Sequence, residues 1–405
     1  MKKVFIKRCP SYDEFQLTEL FEDILSTIHS IGNLKSGSTV LLKTNLLIRK
    51  NPEAAATTHP LFLRALALVL LKRGLKVIIG DSPGGLFSKA FLKSVYEICG
   101  LIEALKNINV ELNYNTDVVI IQNPDGIKLK EFTITKYIQD VDYIINVPKL
   151  KTHVAMIYTG AIKNWYGTIA GERKFDYHVV VSNADDFANM LIDIYMLNKP
   201  DLSIMDAVIG MDHNGPAAGK PKNMNLVLAS EDGFALDLTA IKILGIDPQK
   251  VPTMKASFGR KLISNNFNEI EIVGEAIHNV TITDFVLPDT AQQSTSPLPR
   301  SRLFLKLIEL IKPQVTFDYK ACKRCKECIS ICPAKAIEFN GGKPRMNRRK
   351  CIKCFCCLEL CTSNAVKIQQ SMVLKSILVL GLLNKRLQKS IEKMFGMIAR
   401  SRQSS

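Results

Sequence analysis

Apolar positions in residues 1 to about 290 alternate between two periods. Short β-branched and aliphatic runs at 4–6, 39–43, 76–80, 118–121, 132–135, 143–147, 202–206 and 226–228 read as strands. Between them a 3.6-residue period predicts helices over 14–31, over 60–72 with proline in its first turn, over a segment ending near Cys99, and over 234–244. Strands alternating with helices predict an α/β domain around a mostly parallel sheet.

Past residue 288 the texture changes. Residues 288–301 have linker composition, and 303–311 read as a short amphipathic helix. Near the C-terminus the apolar run 372–383 is twelve residues long and contains Lys375. As a helix it reaches about 18 Å against a hydrocarbon core of about 30 Å, too short to span a bilayer. Leu380, Leu383, Leu387, Ile391, Met394 and Ile398 instead form a stripe, with Lys385, Arg386, Lys389 and Lys393 mostly off it. This predicts a basic amphipathic helix over 372–398 that lies on a membrane surface, docks a partner or packs on its own module.

Eight of the eleven cysteines form two runs with the spacing C-x2-C-x2-C-x3-C: Cys322, Cys325, Cys328, Cys332, and Cys351, Cys354, Cys357, Cys361. Shifting 322 onto 351 superposes both runs and lays Ala336-Ile337 on Ala365-Val366, so the segment is an internal duplication. Thiolates at such turn-compatible intervals suit an iron-sulfur cubane, and in two-cluster ferredoxins the fourth cysteine of each run serves the other cluster. One [4Fe-4S] cluster is therefore assigned to Cys322, Cys325, Cys328 and Cys361, the other to Cys351, Cys354, Cys357 and Cys332. Structural zinc is the competing reading, but it does not require the third cysteine of each run.

Residues 315–370 closely resemble the dicluster bacterial ferredoxin domain, a small α+β fold. Two departures stand out: Thr362 replaces the proline found at 333, and Cys356 is an extra cysteine read as a non-ligand, the alternatives being a substitute for Cys357 or a site of oxidation. The isolated Cys9 and Cys99 read as small buried apolar residues. The expected organisation is an α/β domain over 1–290, linker and short helix over 291–314, the dicluster domain over 315–370, and a basic helix and tail over 371–405.

With 47% hydrophobic and 23% charged residues the chain belongs to the globular class. Its net charge of +16 is concentrated: residues 300–405 hold 23 Lys plus Arg against 6 Asp plus Glu, while residues 1–299 are nearly neutral. A basic cluster module fits an acidic redox partner or an anionic membrane, or offsets the charge of clusters and thiolates. Nucleic acid is the least favoured partner, because few aromatics accompany the charges and no binding motif is present. The N-terminal Met1-Lys-Lys-Val-Phe-Ile-Lys7-Arg8 contains no apolar h-region, so a cytoplasmic location is expected, with peripheral contact at the inner face of the membrane as an extension.

In open α/β sheets ligands collect beyond the carboxyl ends of the strands. The polar residues there are Lys43-Thr-Asn45, Asp81-Ser82, Lys149-Leu-Lys151-Thr-His153 and Asp206. His59, His153, Lys149, Lys163 and Asp206 are the acid and base candidates. Asp81, Ser82, Gly84 and Gly85 are the cofactor-binding candidates, since a glycine turn opening a helix exposes amides to an anion. Each has a structural alternative: Thr58 caps the helix at Pro60, Asp81 caps the next one, and Lys149 and Lys151 are solvated. The segment from Thr159 to Gly167 holds the only tryptophan and suits a loop over a planar or anionic ligand, or a buried anchor.

Lys43-Thr-Asn45, Thr58-His-Pro60, Gly80-Asp-Ser-Pro-Gly-Gly85, Asn146-Val-Pro-Lys149-Leu-Lys-Thr-His153, Gly160-Ala-Ile-Lys-Asn164 and Gly215-Pro216 together resemble the prokaryotic domain-of-unknown-function 362 family over residues 1–290. That resemblance, with its frequent fusion to ferredoxin modules, implies redox work and carries over no catalytic residue. The favoured function is an iron-sulfur electron-transfer protein, a ferredoxin-coupled oxidoreductase with an unknown substrate and an unassigned further cofactor in the α/β domain. The alternatives are a non-catalytic relay or ligand-binding module, and a regulatory protein with structural clusters.

Overall fold

The computed structural model describes residues 1–181, 183–291 and 314–369. The helices expected over 303–311 and 372–398 lie outside the described residues. Among those described, no helix is long and apolar enough to cross a membrane.

In chain order the strands of the first domain are β1 (Lys2–Arg8), β2 (Thr39–Lys43), β3 (Lys76–Gly80), β4 (Val110–Leu112), β5 (Val118–Gln122), β6 (Glu131–Thr135), β7 (Tyr143–Asn146), β8 (Lys149–His153), β9 (Ile157–Thr159), β10 (Leu202–Asp212), β11 (Lys220–Ser230) and β12 (Ile270–Gly274). The main sheet runs β12-β1-β11-β10-β7-β2-β3-β4, with β8 beside β10 and carrying β9. From β10 to β4 every pair along this path is parallel. Only β11 runs against both of its neighbours, and β9 against β8. A separate ribbon joins β5 to β6.

Alternation along the strands builds a core on each face. Phe5, Val40, Leu42 and Ile145 pack in one with residues of helices Glu14–Ser26, Pro60–Lys72 and Lys89–Ile98. Val4, Ile6, Leu41 and Ile144 pack in the other with residues of helices Ala184–Leu197 and Gly233–Ile243. From β2 the chain winds outward through β3 to β4, then returns to place β7 on the opposite side of β2. That reversal is a topological switch point, where the carboxyl ends of adjacent strands leave a crevice.

Several local expectations need correction. The helix read over 14–31 stops at Ser26, because Thr27 turns its hydroxyl back to the Ile24 carbonyl at 2.7 Å and Ile28 is extended before the short helix His29–Gly32. His59, and not Thr58, caps Pro60–Lys72. The Thr58 hydroxyl accepts from the Asn45 amide at 3.0 Å and donates to the Val147 carbonyl at 2.8 Å, tying the exits of β2 and β7 together. Ser88, and not Asp81, caps Lys89–Ile98, so the Gly84-Gly85 turn does not open that helix. Lys149 and Lys151 are buried in β8, where solvated side chains were one reading.

The C-terminal module comprises β13 (Gln314–Phe317), β14 (Ile337–Asn340), β15 (Lys343–Met346) and β16 (Val366–Gln369), with one-turn helices Glu327–Ser330 and Cys356–Glu359. β13 pairs with β16 and β14 with β15, so each half of the duplication contributes to both ribbons. The repeat extends to the backbone: Arg324, Lys326 and Lys335 have left-handed φ, as do their counterparts Lys353, Phe355 and Asn364. Cys332 Sγ accepts from the Ala336 amide and Cys361 Sγ from the Ala365 amide, both at 3.2 Å. Left-handed residues curl each loop so that its amides converge on one side, the arrangement an anionic cluster needs.

Candidate functional site

A small pocket of about 70 Å³ opens at the switch point. Lys43 and Asn45 reach it from the exit of β2, Asp81 and Ser82 from the exit of β3, and Lys151 from β8. The segment after β9 adds Lys163, Asn164 and Tyr166, and helix Arg173–Val180 adds Lys174 and His178. Part of its wall belongs to the other domain: Cys356, Glu359 and Leu360. Four lysines therefore face one cavity that the cluster module helps to close.

The wall is tightly wired. Lys43 Nζ donates to Asp81 Oδ1 at 2.7 Å and to the carbonyls of Thr44 and Asn164, both at 2.8 Å. Asp81 Oδ2 accepts from the Leu46 amide at 2.6 Å. A Cβ on Gly167 would lie 2.2 Å from Lys43 Nζ, so only glycine lets that backbone cross the ion pair. Asn164 Nδ2 donates to Asn146 Oδ1, and Asn45 Nδ2 to Asn164 Oδ1, both at 2.7 Å. Lys151 Nζ donates to Asn45 Oδ1 at 2.8 Å and to the Ala56 carbonyl at 2.6 Å. Trp165 is a buried anchor, edge-on to Tyr195, and its neighbours Lys163 and Tyr166 face the pocket.

The two domains meet through polar and apolar contacts. Arg49 pairs with Glu327 at 2.5 Å, and Lys50 Nζ donates to Asn364 Oδ1 at 2.5 Å. Ile48 and Ala217 pack with Ile331 and Leu360. At Gly84 a Cβ would sit 2.9 Å from Leu360 Cδ2, so this glycine makes room for the cluster module. Gly85 lines the adjoining groove. His153 stands behind the pocket, with Nε2 3.1 Å from Glu359 Oε1. Its Nδ1 accepts from the Ala155 and Met156 amides, which assigns the proton of the neutral ring to Nε2.

His59, Lys149 and Asp206 come together elsewhere, with Tyr12, which sequence reasoning missed. Lys149 Nζ donates to Asp206 Oδ2 and to the Tyr12 hydroxyl, both at 2.7 Å. Asp206 also accepts from the Tyr12 hydroxyl at 2.9 Å and the His59 amide at 3.0 Å, and the Tyr12 and His59 rings stack at 3.7 Å. None of the four lines the pocket, and the set clamps the N-terminal segment onto β10.

Burial dominates the electrostatics. It pushes Lys43, Lys151 and Lys163 below the usual lysine value, and holds His153 and His178 neutral at about 4. Burial opposes the charge of Glu359, yet His153, Lys163 and His178 hold its carboxyl at about 2. Lys174 bonds only neutral acceptors, the Ser82 carbonyl and hydroxyl and the Ile169 carbonyl. Burial lowers it to about 7, with Asp81 opposing the shift and Lys43 and Lys163 adding to it. From about pH 7 up to the ordinary value of 10.5 the unfolded chain holds a proton that folded Lys174 has lost. Its contribution to stability therefore rises with pH, by at most about 1.4 kcal/mol per unit. Urea midpoints measured between about pH 7 and 9 should show a smaller rise for Lys174→Met than for the parent.

In the cluster module Cys322, Cys325, Cys328 and Cys361 line one cavity with Phe317, Phe339 and Pro344. Cys332, Cys351, Cys354 and Cys357 line a second with Val315, Pro333, Met346 and Phe355. The fourth cysteine of each run thus joins the first three of the other. Among the described residues no His, Cys, Asp or Glu group converges as a site for a metal ion. The donors fit a larger inorganic group: four sulfurs around each apolar cavity, under loops curled to present amides.

Comparison with known proteins agrees with this division. A thylakoid-associated protein from Synechocystis sp. is 30% identical over 310 residues, covering 74% of this chain and 92% of that protein. A solved structure, the lactate racemase apoprotein from Thermoanaerobacterium thermosaccharolyticum, shares 12% identity over 59% of this chain and 56% of that one, with a TM-score of 0.36, too loose a likeness to inform the site. Residues 314–362 match a 4Fe-4S dicluster domain, which makes iron-sulfur electron transfer the work of the C-terminal module. Residues 40–242, which contain all of the first domain's pocket lysines, match the domain of unknown function DUF362, and the chain belongs to that family.

Proposed function

We propose that the protein is a ferredoxin-coupled oxidoreductase in which electrons pass from the C-terminal module to a ligand held in the switch-point pocket. The observation that carries this reading is the shared wall: Cys356, between Cys354 and Cys357 in sequence, lines the same cavity as Lys43 and Asp81. The two four-cysteine sets are the proposed ligands of two clusters, which when bound supply single electrons. Cys325 is exposed among Lys323, Arg324 and Lys326, an entry point for an acidic donor protein, whereas Cys357 is buried. At the receiving end the Lys163 and Lys151 ammoniums orient the ligand and carry the protons that accompany its reduction, Tyr166 donates its hydroxyl to the Lys174 carbonyl and so fixes that wall, and Leu360 and Phe175 exclude water.

Full-length protein purified without oxygen should contain about eight iron atoms per chain and be reversibly reduced by dithionite. A low-molecular-weight metabolite extract should then speed reoxidation of the parent and not of Lys163→Met. Zinc in place of iron, or equal reoxidation of both proteins, would overturn the reading.

A further inference from the structure

The lysines of the pocket outnumber the carboxylates that could neutralise them. Lys43, Lys151, Lys163 and Lys174 face the cavity against only Asp81 and Glu359. Asp81 is committed to Lys43, whose three donors are all used. Lys174 spends its donors on neutral acceptors around Ser82 and Ile169. Lys151 has two acceptors, both neutral, and keeps a donor free. Lys163 makes no hydrogen bond or ion pair among the described residues; its ammonium stands 6.0 Å over the Tyr166 ring. The asparagines cannot absorb this charge, because Asn45 and Asn164 bond each other, Lys151 and Asn146. Glu359 offsets part of the Lys163 charge, but two carboxylates do not balance four largely desolvated ammoniums, so an occupant that brings negative charge is favoured.

Size narrows the occupant further. About 70 Å³, at roughly 10–15 Å³ for each water-sized group, admits an anion of about five heavy atoms.

We propose that the pocket binds a compact dianion, a short dicarboxylate or a tetrahedral oxyanion, with Lys163 and Lys151 donating to it. This rests on the redox reading only for what happens after binding. Lys163 and Lys151 are binding residues that set substrate class, and Lys43 with Asp81 is the frame that holds Asn164 in place.

The test is calorimetric titration of the oxidised, cluster-loaded full chain near neutral pH, with no electron donor. Oxalate and inorganic phosphate are the two dianionic arms, and oxamide is the uncharged isostere of the first. One dianion should bind at least about 100-fold more tightly than oxamide, and the preferred arm separates planar from tetrahedral ligands. Lys163→Met should weaken that dianion about 10- to 100-fold, the loss expected for charged hydrogen bonds, with an unchanged circular dichroism spectrum because Lys163 makes no hydrogen bond or ion pair among the described residues. Lys151→Met, which also frees Asn45, serves as the second variant. Equal binding of oxamide and both dianions, or no binding of any of them, would overturn the proposal. A dianion that binds but fails to reoxidise the reduced protein would leave the ligand class standing and count against the redox reading alone.

Discussion

Asp206→Ala is expected to destabilise the α/β domain by about 3–5 kcal/mol, the usual cost of leaving one partner of a buried ion pair behind. For a domain of this size that lowers the thermal midpoint by roughly 6–20 °C. Lys149 is 1% exposed and would lose its only carboxylate, while the Tyr12 hydroxyl and the His59 and Val208 amides would lose an acceptor. Replacing both members of the pair, as Lys149→Met with Asp206→Leu, should recover much of the loss, because well-packed apolar pairs often match buried ion pairs. Anaerobic thermal unfolding of the parent, Lys149→Met, Asp206→Leu and the double variant gives the coupling directly, with Asp206→Ala measured beside them. A loss for Asp206→Ala below about 1 kcal/mol would mean that the pair is not a structural clamp, against the expected cost.

The same residues show what the sequence could and could not convey. Period and β-branching were enough to place β2, β3 and the helix at Pro60, because those elements satisfy the local pattern and the tertiary one together. The rule that ligands gather beyond strand ends led to Lys43, Asn45, Asp81, Ser82 and Lys151, all in the pocket wall. It led equally to Asp206 and Lys149, which lie in the other network, because chain position says nothing about where β8 turns relative to β10. Lys174 and His178 left no trace: in Glu172-Arg-Lys-Phe-Asp-Tyr-His178 they read as an ordinary solvated helix face. The burial of Lys174 depends on the exit of β3, and His178 packs against Tyr166 and Phe187, both remote from what the local pattern shows.

Glu359 was in principle legible. The two cysteine runs are copies, and they differ where the second meets the pocket: Cys356 stands where the first copy has Glu327, and Glu359 where it has Ser330. A duplicated cluster loop needs only its ligands and its turn residues, so departures from the repeat mark what one copy does and the other does not. Glu327 has its own use, pairing with Arg49 across the same domain boundary.

Under the proposed relay that asymmetry would make the two clusters unequal, and removing them one at a time should reveal an order. Cys354→Ala and Cys325→Ala should each lower iron from about eight to about four atoms per chain; alanine is chosen because serine retains an oxygen ligand. Cys354 belongs to the set that includes Cys357, which shares its short helix with the pocket residues Cys356 and Glu359. Its removal should abolish pocket-dependent reoxidation whatever the donor. Cys325 is exposed at the other end, so its loss should block delivery from a protein donor and leave dithionite, small enough to reach the remaining cluster, still able to feed the pocket. Unchanged far-ultraviolet circular dichroism would show that the α/β domain has kept its fold in both variants. If Cys354→Ala retained pocket-dependent turnover and Cys325→Ala lost it with dithionite, electrons would be entering through the set that contains Cys361, next to Leu360 in the pocket wall, and the direction of the relay would be reversed.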